Sequence, residues 1–153
     1  MITFTIAADS SISPAQICAE IFDVDRWSGF KGYGPLPGIA KVTMKSPANS
    51  IIGTEFYVEN TDGSKHKETV QSLNAGKCLI MKMSDFSSPI KNIATHFIER
   101  WDFADTNSGY RINRTLELYP KNAFAALPLW LISWLLKKAI ARHTHQIANP
   151  QQA

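Results

Sequence analysis

A chain of 153 residues with 44% hydrophobic and 19% charged residues, 8 Gly and 8 Pro is one ordinary globular domain's worth of protein; this excludes disorder, collagen-like structure and an enzyme built around an interdomain cleft. Its formal net charge of +3 arises from 16 Lys+Arg scattered against 13 Asp+Glu, which gives no footprint for nucleic acid and leaves small molecules, lipids or proteins as partners. Cys18 and Cys78 are far apart and form no C-x-x-C, so neither a disulfide framework nor a zinc site is indicated, and both read as free thiols in a reducing compartment.

Ile2, Phe4 and Ile6 alternate with Thr3 and Thr5, the period of a half-buried strand. The same stretch lacks the basic start and continuous apolar core of a signal peptide, so a cytoplasmic location is expected. Ser13 before Pro14 is a helix start, and Ile17, Ala19, Ile21 and Phe22 carry a short helix to about residue 22. Residues 25–30 suit a further helical turn, after which Gly32, Gly34, Pro35, Pro37 and Gly38 allow only a loop. This loop is expected to rim a pocket mouth; its prolines remove the backbone donors that a phosphate loop needs.

Strands follow at about 39–45, 51–59, 65–73, 78–84, 93–104 and 109–119. The separators Asn60–Gly63, Asn74–Gly76 and Asp105–Gly109 are rich in turn formers, so consecutive strands should be antiparallel neighbours. The last segment reads as one long helix with Pro128 in its first turn and an end before Asn149-Pro150. Leu129, Ile132, Leu136, Ile140, His143 and Ile147 form its core-facing stripe. Trp130, Leu131, Trp134 and Leu135 fall on the other side; Trp130, Leu131 and Trp134 are expected to bury against the protein's own helix and loop, with a homodimer or partner contact and a transient membrane contact as the alternatives. The apolar run 123–136 is too short to span a bilayer, so no transmembrane segment is expected.

The order of elements, Asp25-x-Trp27 after the first helix, Trp101-Asp102-Phe103 before a Gly turn, and the closing helix from Pro128-Leu129 to His145 resemble the START-like superfamily (SRPBCC), which includes polyketide cyclase-like proteins and Bet v 1-like plant pollen allergens. The resemblance covers essentially the whole chain. It implies a single START-like domain over residues 1–153, an α+β helix-grip fold: about seven antiparallel strands curved around the long C-terminal helix, with short helices after the first strand. It also implies an elongated cavity for a lipid, polyketide, isoprenoid-like or other hydrophobic ligand. It implies no particular activity, because the superfamily mixes carriers, enzymes and chaperone cofactors.

Strand parity selects the candidate site. Ile93, Phe97, Trp101 and Phe103 share a face with Glu99, while Tyr110, Ile112, Leu116 and Leu118 share one with Arg114. Pairing across a 105–108 turn sets Arg114 opposite Glu99. Phe56 and Val58 likewise face His66, Glu68 and Val70. The expected ligand site therefore has an apolar wall of Phe56, Val58, Trp101, Phe103, Tyr110, Ile112, Leu136 and Ile140, and polar anchors at Glu99, Arg114, His66 and Glu68. A purely structural Glu99–Arg114 pair is the alternative reading. A Glu beside a His in a dry pocket would also suit general acid or base chemistry of a cyclase or hydrolase, so catalysis stays open. His66-x-Glu68 has no evident third ligand, and His143 and His145 point to different sides of their helix; no metal and no cofactor are expected.

Overall fold

Strand β1 (Ile2–Ser10) runs straight into a helix start. Ser13 accepts from the backbone N–H of Gln16 and the Gln16 side chain accepts from the backbone N–H of Ser13, a reciprocal cap that opens helix α1 (Pro14–Phe22). A short 3-10 helix (Val24–Gly29) follows, tied back to α1 by the Trp27 indole N–H donating to the Ile21 carbonyl at 2.7 Å. The computed structural model describes residues 1–150; the final three residues of the expected 1–153 domain lie outside the described residues.

The chain then forms β2 (Ile39–Lys45), β3 (Glu55–Asn60), β4 (Lys65–Asn74), β5 (Cys78–Ser84), β6 (Ala94–Thr106) and β7 (Gly109–Pro120). With β1 they make a seven-stranded antiparallel sheet in the order β1-β7-β6-β5-β4-β3-β2. Because β1 and β2 are its two edges, α1 and the 3-10 helix carry the chain across the sheet from one side to the other. Register shifts at Ile39/Lys41, Val70/Ser72 and Ala94/His96 bend the strands, as extra residues in a ladder do, and give the sheet a concave face. Helix α2 (Ile90–Ile93) precedes β6, and α3 (Ala126–Ala148) lies along the concave face.

Two expected boundaries move. The strand expected at 51–59 starts only at Glu55, because Gly53 takes a left-handed φ of +87° and the Thr54 N–H donates back to the Ile51 carbonyl at 3.0 Å. Ile51 and Ile52 are thereby left exposed. Ile93, expected on the inward face of β6, instead closes the α2 turn.

The end of α3 is fastened to β1: Ser10 Oγ donates to the Ala148 carbonyl at 2.9 Å and Asn149 Nδ2 donates to the Asp9 carbonyl at 3.2 Å. Two apolar clusters result. One packs Ile17, Ile21, Phe56, Val58, Val70, Leu79, Trp101, Phe103, Ile112 and Ala148 where α1 and the end of α3 cover the sheet. The other gathers Ile6, Phe97, Leu116, Leu118, Leu129 and Ile140 beneath the earlier turns of α3.

Candidate functional site: a cavity beneath the C-terminal helix

A cavity of about 720 Å³ lies between the sheet, α3 and the segment from the 3-10 helix to Pro37. Its walls are mainly apolar: Phe30 and Leu36 from the segment before β2, Met81 and Met83 from β5, Phe86 and Ile90 around α2, Phe97 and Leu116 from the long strands, and Leu135, Leu136 and Ile140 from α3. Pro35, Leu36 and Pro37 border it, as expected of a rim, and Tyr33 and Leu36 close that loop with a pair of backbone hydrogen bonds of 3.1 and 3.0 Å. Gly32 is required there: its φ is +70°, and a Cβ would stand 2.1 Å from the Leu36 carbonyl oxygen.

A strip of polar side chains crosses this wall, and it contains all four expected anchors, His66, Glu68, Glu99 and Arg114. Arg114 is 6% exposed and Glu99 3%, and Arg114 Nε donates to Glu99 Oε1 at 2.5 Å. Their register differs from the expectation, because β6 and β7 continue to Thr106 and Gly109 and leave a two-residue loop. Glu99 therefore pairs with Leu116, and Trp101 pairs with Arg114. The ion pair forms on the diagonal, which the long arginine spans because both residues share one face. The guanidinium lies over the Trp101 ring at 4.2 Å, and its Nη1 donates to His143 Nδ1 at 3.1 Å and to Thr144 Oγ1 at 3.4 Å. Nη2 has no protein partner among the described residues.

An arginine can only donate, so His143 Nδ1 must accept and the ring proton sits on Nε2. Burial, reinforced by the Arg114 charge, lowers the His143 pKa to about 3, so the imidazole is neutral. It meets Phe30 edge to face at 5.5 Å. For Glu99 the balance runs upward: burial and the Glu68 charge raise its pKa against the pull of Arg114. The Trp101 indole is near enough to assist the charged form slightly, yet its buried Nε1 makes no hydrogen bond among the described residues. On β4, His66 Nε2 and Glu68 Oε1 are 3.1 Å apart. The strip thus offers donors at its α3 end and a carboxylate–imidazole pair at its β4 end.

Of the expected apolar wall, Leu136 and Ile140 line the cavity, while Phe56, Val58, Trp101, Phe103, Tyr110 and Ile112 do not. Five of these are buried on the concave face, where their part of the face is filled. Phe56 stacks on Trp27 at 4.8 Å and tilts against Phe22 at 5.9 Å, and Trp101, Phe103 and Ile112 pack in the cluster beneath α1 and Ala148. Tyr110 sits half-buried at the end of β7, opposite Ser10 and Asp105. The residues that replace them, Phe30, Met81, Met83 and Phe86, include two methionines whose alternation on β5 was a readable signal. His143 was legible as part of the helix stripe, but its role as acceptor for Arg114 was not.

Trp130 and Trp134 are each 54% exposed and Leu131 is 55% exposed, which corrects the expectation that they bury against the protein's own helix and loop. Leu135, placed on the same side of the helix by the sequence, lines the cavity. Cys18 and Cys78 are free thiols, no group of three or more metal-ligating side chains is found among the described residues, and no described helix is long and apolar enough to cross a membrane.

Sheet, gripping helix and hollow define a helix-grip fold. No family model matches the chain, and no curated protein matches it in sequence. Solved structures share the fold. The di-domain ARO/CYC BexL from the BE-7585A biosynthetic pathway matches with a TM-score of 0.72 at 13% identity over 97% of this chain and 49% of that one. The di-domain ARO/CYC StfQ from the steffimycin biosynthetic pathway gives 0.68 at 14% identity, over 99% of this chain and 51% of that one. The chain thus spans about half the length of these two proteins. Ara h 8.0201 gives 0.64 at 17% identity, over 93% of this chain and 96% of that one. At these identities the likeness establishes the fold alone.

Proposed function

We propose that the chain is a carrier or sensor of a small amphipathic molecule, held with its hydrocarbon in the cavity and an oxygen function against the strip. The observation that carries this reading is a hollow of about 720 Å³ whose mainly apolar walls carry the buried Glu68, Glu99 and Arg114. Each 100 Å² of ligand hydrocarbon removed from water contributes roughly 2.5 kcal/mol, so the apolar walls supply affinity. Arg114 Nη2 and His143 Nε2–H are the donors available to a carbonyl, hydroxyl or carboxylate oxygen, and they set orientation. The neighbours include two ARO/CYC proteins whose names refer to biosynthetic pathways, which supports a small organic guest.

Native mass spectrometry of freshly purified protein, with chromatography of an organic extract, tests the reading. A bound apolar species that disappears in Leu136→Trp, a substitution that fills the hollow, is the expected result. An empty protein that also takes up no long-chain alcohol, ketone or acid contradicts it. A second reading, catalysis, draws on the 3.1 Å His66–Glu68 pair at the cavity wall, where the carboxylate would hold the imidazole as a general base. It requires that His66→Ala or Glu68→Gln abolish turnover of a bound guest while binding persists.

A further inference from the structure

The outer side of α3 carries a feature that the cavity does not use. Leu127, Trp130, Leu131 and Trp134 follow one another at helical spacing and are 67%, 54%, 55% and 54% exposed, and Phe124, just before the helix, is 94% exposed. Five large apolar side chains exposed within eleven residues, four of them on one side of the helix, are a feature of interaction surfaces rather than of scattered surface apolar residues. The charge along this stretch of the chain has one sign. Lys121, Lys137, Lys138 and Arg142 belong to this part of the chain, and no Asp or Glu occurs anywhere after Glu117. Lys138 Nζ stands 5.8 Å from the Trp134 ring, and Arg142 lies 5.6 Å over the Tyr33 ring, so these cations stand at the margin of the aromatic ridge.

The ridge is continuous with the cavity mouth. Trp134 meets Tyr33 edge to face at 6.4 Å, and Tyr33 belongs to the loop whose Pro35, Leu36 and Pro37 border the hollow. That loop adds Lys31 and no acid.

We propose that this ridge docks onto an anionic lipid surface, with Phe124, Leu127, Trp130, Leu131 and Trp134 entering the headgroup layer and the lysines and arginine held at the phosphates. Tryptophan and leucine on one side of a helix, bordered by Lys and Arg, suit the interfacial region of a bilayer, where the indole has both an apolar bed and water for its N–H. A homodimer fits less well. A two-fold interface sets a patch against its own copy, so Lys137 and Lys138 would approach their counterparts with no carboxylate in this segment to pair with. Docking in this orientation brings the Tyr33–Leu36 loop, and with it the mouth of the hollow, close to the lipid.

Co-sedimentation of the full chain with phosphatidylcholine vesicles, with and without phosphatidylserine, tests the proposal. Expected are binding that rises steeply with phosphatidylserine and falls with salt, and a loss of about tenfold or more in both Trp130→Ser/Leu131→Ser and Lys137→Glu/Lys138→Glu. The charge-reversal variant alters only exposed side chains and keeps the test decisive if the apolar variant misfolds. No binding to either vesicle, or equal and salt-insensitive binding to both, overturns the proposal. So does a dimer in light scattering that the Trp130→Ser/Leu131→Ser variant dissociates, because the ridge is then an interface between copies.

Discussion

Removing the Arg114 side chain is the sharpest perturbation of the polar strip. Arg114→Ala leaves Glu99 buried at 3% exposure with no cation, and it also takes away the donor to His143 and the contact over Trp101. Breaking a buried ion pair from one side costs about 3–5 kcal/mol, well above the roughly 0–1 kcal/mol of a surface pair. The cost should depend on pH with a definite sign. The Glu99 pKa is already raised, and without Arg114 it rises further. A carboxylate with a raised folded-state pKa contributes stability below its unfolded pKa and loses it as pH climbs through the folded value. Relief of the Arg114 charge on His143 acts in the same sense, since it eases protonation of the imidazole at low pH. The penalty for Arg114→Ala should therefore shrink from pH 8 to pH 5, by at most about 1.4 kcal/mol per unit for each proton involved. Urea unfolding at constant slope measures it. Glu99→Gln on the Arg114→Ala background should recover most of the loss at pH 8. A penalty below about 1 kcal/mol that is flat with pH refutes the reasoning, because Glu99 must then be solvated or otherwise compensated.

Three further outcomes follow from the geometry. Leu79→Ala, in the filled cluster, should cost about 2–5 kcal/mol, whereas Leu136→Ala, already beside the hollow, should cost under about 1.5 kcal/mol; equal costs in chemical denaturation would mean that the hollow is misplaced. His143 is neutral with a pKa of about 3, so its contribution is full above the ordinary histidine range and is lost as pH falls towards 3; unfolding midpoints of His143→Gln should decline less between pH 6.5 and pH 4 than those of the parent protein. Ser13→Ala removes the α1 cap and should lower stability by about 1 kcal/mol without altering ligand uptake, read by thermal unfolding beside a binding titration.

The sequence was most legible where a period is enforced by burial on one face. Parity along β6 and β7 turned Glu99 and Arg114 inward, and their meeting survived a register error because a diagonal contact between long side chains tolerates one. The tightness of the Asn107–Ser108 connection could not be read from a run of five polar turn formers, any of which could have ended the strand. The same parity could not separate the hollow from solid core, since an inward side chain looks alike in both. What decides between them is cover: α1 and Trp27 press on Phe56, whereas Met83 and Phe86 border the hollow, and that depends on how a 3-10 turn and a proline-rich loop cross the concave face. Trp130 and Trp134 show the converse limit. Hydrophobicity alone suggested burial, yet a helix already gripping a sheet with one stripe and walling a hollow with another has a third side left to face outward.

Methyl-resolved nuclear magnetic resonance during a titration with dodecanol bears most directly on whether the hollow takes a guest. The methyl signals of Met83, Ile90, Leu136 and Ile140 should shift together and saturably, while those of Val58, Leu79 and Ile112 stay in place. Shifts confined to Leu127 and Leu131, or no saturable shift at any inward methyl, would place the guest on the surface and contradict it.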